Sequence, residues 1–185
     1  LAIDKRALYA FDDFMVARFH MFVMVYFHQK SVAYEELLRL YMESGDCSYR
    51  LPSDLDAYLR TDDAELMAHL RQSDSEWAHR IVHFKPLRVV CEGTGDDGEQ
   101  ILRDRAKVLS TMGIDAFLAP GHGVVYGERK PGMPPIYVMD RHQIADEARP
   151  VDEASGIFRR YKDERCPSRL YVRPEDRVRA QAAVR

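Results

Sequence analysis

The chain has 185 residues, 46% of them hydrophobic, which is enough to bury a core in one domain, or in one domain with a small appendage. A net charge of −3 with 31% charged residues excludes the overall basic character of a nucleic-acid or membrane-surface binder. Three widely spaced cysteines, Cys47, Cys91 and Cys166, exclude a disulfide framework and fit a reducing, cytoplasmic compartment.

The opening LAIDKRALYAF has no basic region leading into an apolar one, so no signal peptide is expected. It also lacks an initiator Met, which leads us to expect a piece of a longer protein. From Phe11 to Met42 the spacing is helical. Phe11, Met15, Arg18, Phe22, Val25 and Gln29 form one stripe, and Phe19, Val23 and Phe27 form another beside it. A helix apolar almost all round is expected to be buried, here with a bend near Ser31. It is too short in apolar terms for a membrane span, because its longest apolar run, Met21 to Phe27, is seven residues against the roughly 20 required.

SGDCSYRLPSD breaks the pattern, and Asp54 opens a short helix. In TDDAELMAHLRQS, Asp62 and Glu65 make a capping box. DSEWAHRIVHF is a further helix, ending before Pro86. LRVVC reads as a strand, EQILRDRAKVLSTM as a helix closed by Gly113, and DAFLA as a second strand. A Gly/Pro-rich loop, the strand IYVMD, a helix near DEASGIFRRYKDE, the strand LYV and a polar helix opening at Pro174 complete the chain. The expected class is α+β, mainly α. A helical portion, 1–86, built around the buried long helix, precedes a small α+β lobe, 87–185. From Arg159 onward nine basic residues face four acids, which reads as a solvated basic tail or as a contact for an anionic ligand or subunit.

Several residues invite a chemical reading. His20 and His28, eight apart on a helix, lie about 12 Å apart along the axis and cannot share a zinc ion, whose nitrogens sit about 2 Å away. His79 and His83 have a workable spacing, but no third ligand stands beside them and the H-E-x-x-H pattern is missing. His122 is a lone loop histidine. Gly93, Gly95 and Gly98 match G-x-G-x-x-G between a strand and a helix. However, Glu92, Asp96, Asp97 and Glu99 would repel a pyrophosphate, and no acid follows the next strand to hold a ribose. A solvated turn is the better reading. Ser110, Ser155 and the cysteines form no nucleophilic arrangement. Arg18 and Tyr26, two turns apart and within about 80° in rotation, could grip the two ends of an elongated anion, guanidinium on phosphate and phenol on sugar. Equally, Arg18 could pair with a core carboxylate while Tyr26 packs.

DDFMVARFHMFVMVYFHQKSVAYEELL resembles the long helix that follows the catalytic core in HD-superfamily phosphohydrolases of the deoxynucleoside triphosphate triphosphohydrolase type. There an acidic residue, an arginine and, eight positions on, Y-x-H-K recur. Here they read Asp12/Asp13, Arg18 and Tyr26-Phe27-His28-Gln29-Lys30, with the lysine displaced by one. TDDAELMAHL and IYVMD…VDEASGIFRR…SRLYV resemble later segments of the family. The resemblance implies hydrolysis of a dNTP to deoxynucleoside and triphosphate at a divalent metal held by His, His-Asp and Asp. It assigns Arg18 to substrate phosphates and Tyr26 to the sugar. His28 and Lys30 fall near an effector-nucleotide site between subunits of a homo-oligomer.

No His-Asp dipeptide occurs in the chain, and the family's metal ligands all precede the matching segment. The resemblance therefore implies a C-terminal portion that supplies substrate and subunit contacts but no metal ligands and no catalytic residue, and that is inactive alone. Neither membrane nor nucleic-acid partners are expected. The competing expectation is a non-enzymatic helical oligomerisation or regulatory module in which Arg18 and His20 are core polar groups.

Overall fold

In the computed structural model, residues 1–121, 135–140, 148–161 and 166–184 are described. The class is α+β, mainly α, as expected. In chain order the elements are β1 (Ala2–Asp4), α1 (Leu8–Met21), a π-helical segment (Phe22–Tyr26), α2 (Gln29–Glu43), α3 (Leu55–Tyr58), α4 (Asp63–Gln72) and α5 (Glu76–Val82). These are followed by β2 (Arg88–Gly93), α6 (Gly95–Thr111), β3 (Ala116–Ala119), β4 (Tyr137–Met139), β5 (Arg149–Pro150), α7 (Val151–Ala154), α8 (Gly156–Tyr161), β6 (Ser168–Val172) and α9 (Arg177–Ala183). The chain forms two compact units, Leu1–His28 with Gly121–Pro167, and Gln29–Pro120 with Ser168–Arg185.

In the first unit β1 pairs in parallel with β4, and β4 pairs antiparallel with β5. The α1 helix packs on α8 through aromatic rings, with Phe11 and Phe158 5.9 Å apart and Phe19 and Tyr161 4.7 Å apart. The buried Ser155 hydroxyl donates to the Asp12 carboxylate and accepts the Phe158 amide at 2.8 Å. One side chain thus caps α8 and ties it to α1.

The second unit is built around β6, every residue of which is buried. It lies between β2 and β3, antiparallel to both. Strand alternation sends Leu170 and Val172 to one face, where they meet Leu102 and Leu109 of α6, Ile114, and Ala180 of α9. Tyr171 points to the other face, against Ala33 and Leu37 of α2, Leu87 and Ala119, with Trp77 of α5 beside them. A further cluster of Tyr41, Cys47, Leu70 and Ala78 joins α2, α4 and α5. The Tyr171 cluster draws residues from both sides of position 86, and the compact units meet in sequence at 28/29, 120/121 and 167/168.

The helical stretch from Phe11 to Met42 is interrupted. The i→i+5 bond from the Phe27 amide to the Phe22 carbonyl, 2.7 Å, marks the π turn. The chain then leaves helical geometry at Phe27, and α2 starts at Gln29 rather than after a bend at Ser31. Burial is also less than expected, since Met15 is the one buried residue of α1 and none of Phe22–Tyr26 is buried.

Candidate functional site

Arg18 and Tyr26 both belong to the first unit, on α1 and on the π turn that follows it. The Arg18 guanidinium lies over the Phe22 ring, 4.7 Å from its centroid. Tyr26 sits 5.3 Å from that ring, and Phe27 stacks with it at 5.9 Å. Phe22 therefore links the cation and the phenol into one array. Stacking uses the face of the guanidinium, whereas its donors lie in the plane, where they can meet an oxyanion. Tyr26 is 56% exposed.

The π turn is a feature that sequence reasoning missed, and nothing in FVMVY signals it. π-bulges inside helices are rare and gather at functional sites. Here the turn shifts the phase of Tyr26 relative to α1, so the rotation inferred from uniform α-helical spacing does not hold across it.

His28, an exposed residue, follows the π turn in the first unit. Lys30 belongs to the second unit, where it lines a small cavity together with Arg88 and Arg177. A larger cavity of about 660 Å³ in the second unit is lined by Tyr49, Tyr58, Arg50 and Asp63 among others. Arg18, Tyr26, His28 and Lys30 are not among the residues that line it.

His79 and His83 stand edge to face with their rings 5.8 Å apart, and His122 lies outside the described residues, as does most of the Gly/Pro-rich loop around it. Among the described residues no group of three or more His, Cys, Asp or Glu could hold a metal ion. Among the same residues no helix is long and apolar enough to cross a membrane.

The glycine motif has a structural explanation. Gly93 ends β2, and Gly98 lies in the first turn of α6 against it. A Cβ on Gly93 would come 2.7 Å from the Gly98 carbonyl oxygen. Gly95 adopts a positive φ of 69° at the turn between them. The first turn of α6 carries Asp96 and Asp97, an unsuitable seat for a pyrophosphate.

No family model matches the sequence, and no curated protein does. Among solved structures, a hypothetical protein from Aquifex aeolicus aligns over 100% of this chain and 47% of its own length, with a TM-score of 0.76 and 19% identity. A phosphohydrolase from Bacteroides thetaiotaomicron aligns over 93% of this chain and 51% of its own, with a TM-score of 0.54 and 15% identity. The chain shares its fold with a phosphohydrolase. It spans about half the length of the structures it matches.

Proposed function

We propose that this chain is the C-terminal part of a metal-dependent HD-type phosphohydrolase that converts a dNTP to a deoxynucleoside and triphosphate. The observation that carries the reading is the Arg18–Phe22–Tyr26 array, in which an arginine held by a ring face is followed by an exposed phenol at a π turn. It fits a ligand with an anionic end and a sugar-like end. The fold shared with a phosphohydrolase, and a span of about half that protein's length, support the same reading. In it, Arg18 holds substrate phosphates, Tyr26 lies along the sugar, and His28 and Lys30 serve an effector nucleotide in a cytoplasmic homo-oligomer.

The divalent metal that the resemblance implies does not fit the donors among the described residues. There is no His-Asp dipeptide and no three-donor cluster among the described residues. In this reading the ion's ligands lie elsewhere in the protein, and the chain alone turns over nothing.

The test is Arg18→Ala in the complete protein. Loss of a hydrogen bond to a charged group costs about 1.5–3 kcal/mol, which corresponds to a fall of about 10- to 150-fold in kcat/KM, with metal content unchanged. Unaltered turnover, or loss of the metal, would overturn the assignment. A second reading, a non-enzymatic oligomerisation module, is favoured by the exposed apolar side chains of the same region, Tyr9, Phe14, Met24 and Val25. It predicts no thermal shift with any deoxynucleotide, even for the complete protein.

A further inference from the structure

The second unit contains a concave basic site built from three elements. Hydrogen bonding between the buried Tyr171 hydroxyl and the Gln29 carbonyl, 2.9 Å, fixes the start of α2 beside β6. Arg88, the first residue of β2, is in register with Val172 of β6. The chain then turns through Pro174–Asp176 into α9, which packs back on β2 and brings its first residue, Arg177, to the same place. Lys30, Arg88 and Arg177 line a cavity of about 190 Å³ together with Gln29 and apolar residues, and among the described residues no carboxylate lines it.

The ion pairs of the surrounding surface make this concentration of charge notable. Glu76 binds Arg80 and Arg173, Asp115 binds Arg173, Glu175 binds Arg80, Asp176 binds Arg179, and Glu92 binds Arg169. These acids are thus committed to other arginines, and neither Arg88 nor Arg177 has an ion pair among the described residues. Arg88 instead acts electrostatically on the Tyr34 phenol.

We infer that the cavity between Arg88, Arg177 and Lys30 is an oxyanion site that takes a phosphate or diphosphate group. Size decides between a phosphate group and a whole nucleotide. At about 30 Å³ per water molecule the cavity holds roughly six waters, below the roughly 300 Å³ at which pockets for drug-sized ligands begin. Base and sugar have no place inside it. Two guanidiniums and an ammonium suit a group with several equivalent oxygens, each able to accept from planar N–H pairs. The assignment stands on the second unit alone and does not need the hydrolase reading.

The experiment titrates the chain with sodium pyrophosphate and, separately, orthophosphate, by calorimetry and by phosphorus NMR. Pyrophosphate is expected to bind with a Kd of about 1 mM or tighter, weakening as salt is raised. Arg88→Gln and Arg177→Gln should each weaken it about tenfold or more. Arg71→Gln, an exposed change of equal charge on α4, should leave it unchanged. A nucleoside diphosphate that displaces pyrophosphate would identify a carried phosphoryl group as the ligand, and one that does not would leave the free anion; both outcomes uphold the oxyanion chemistry. Absence of saturable binding, or an equal loss in Arg71→Gln, would overturn the site.

Discussion

Gly93→Ala tests whether the glycine motif serves packing or ligand binding. The new Cβ would sit 2.7 Å from the Gly98 oxygen, 2.8 Å from its carbonyl carbon and 3.0 Å from its Cα. All three are backbone atoms, so no side chain can swing aside. Ordinary contact between such atoms lies near 3.5–4.0 Å, and β2 must therefore part from α6 by about 1 Å. Overpacking of this kind costs about 1–3 kcal/mol, which lowers Tm by roughly 3–10 °C in a chain of this size. Gly98→Ala meets the same contact from the other side, with its Cβ 2.8 Å from the Gly93 carbonyl carbon. The double variant should lose less than the sum, because one separation relieves both. Gly156→Ala is the control: nothing lies within 4 Å of its Cβ, so the change should be neutral or stabilise by about 0.4–1 kcal/mol. Urea unfolding followed by circular dichroism measures all four, and an NAD titration should be flat throughout. Wild-type stability in Gly93→Ala would refute the packing argument. NAD binding abolished by the same change would replace it with a dinucleotide site.

Two further predictions concern pH. Burial pushes the Tyr171 phenol up to about 12, with Arg169 opposing, while in the unfolded chain it ionises near 10. The unfolded state thus loses its proton first, and stability should fall as pH rises from about 10 to 12. Tyr171→Phe should cost about 0.5–1.5 kcal/mol at neutral pH and flatten this alkaline decline; equal slopes in the two proteins would count against it. At Glu76, burial opposes the charge, but hydrogen bonds and charges from Arg173 and Arg80 outweigh it and hold the carboxyl below the usual range. Its contribution is present above about pH 4.3 and lost as the pH falls through the lowered value. Glu76→Gln should destabilise by up to about 1 kcal/mol at pH 7, these pairs being half exposed, and should soften the acid transition. An acid limb unchanged by the substitution would remove Glu76 from the account.

The elements with strong local signals were legible. Asp62 accepts the Glu65 amide at 3.0 Å and opens α4 where the capping box places it. Asp54 caps α3 through the Ala57 amide at 2.8 Å, and Gly113 closes α6 with a φ of 70°. Strands β2, β3, β4 and β6 fall on the runs that suggested them. What the sequence hid is non-local. β1 is three residues long and exists because β4 pairs with it from far along the chain. The π turn is a shift of hydrogen-bond register from i→i+4 to i→i+5, and composition does not encode that choice. Apolar periodicity in ARFHMFVMVYF told which residues avoid water, but not what covers them. Of the candidate site, Arg18 and Tyr26 were chosen by spacing, whereas Phe22, the ring that links them, was counted only as core. Arg88 and Arg177 lie too far apart in sequence to suggest a common site.

The middle strand of the second sheet is made after both of its neighbours. A ribosome will have completed α2 to α6 and both flanking strands before Ser168–Val172 emerges. Until then β2 and β3 have an empty lane between them, with unpaired backbone edges and two apolar helix layers lacking their common floor. Premature termination after Pro167 would leave that lane unfilled. A synthetic peptide of residues 168–185 is then the natural complement for such a truncated chain, and its capture would show how much of the unit waits for its final strand.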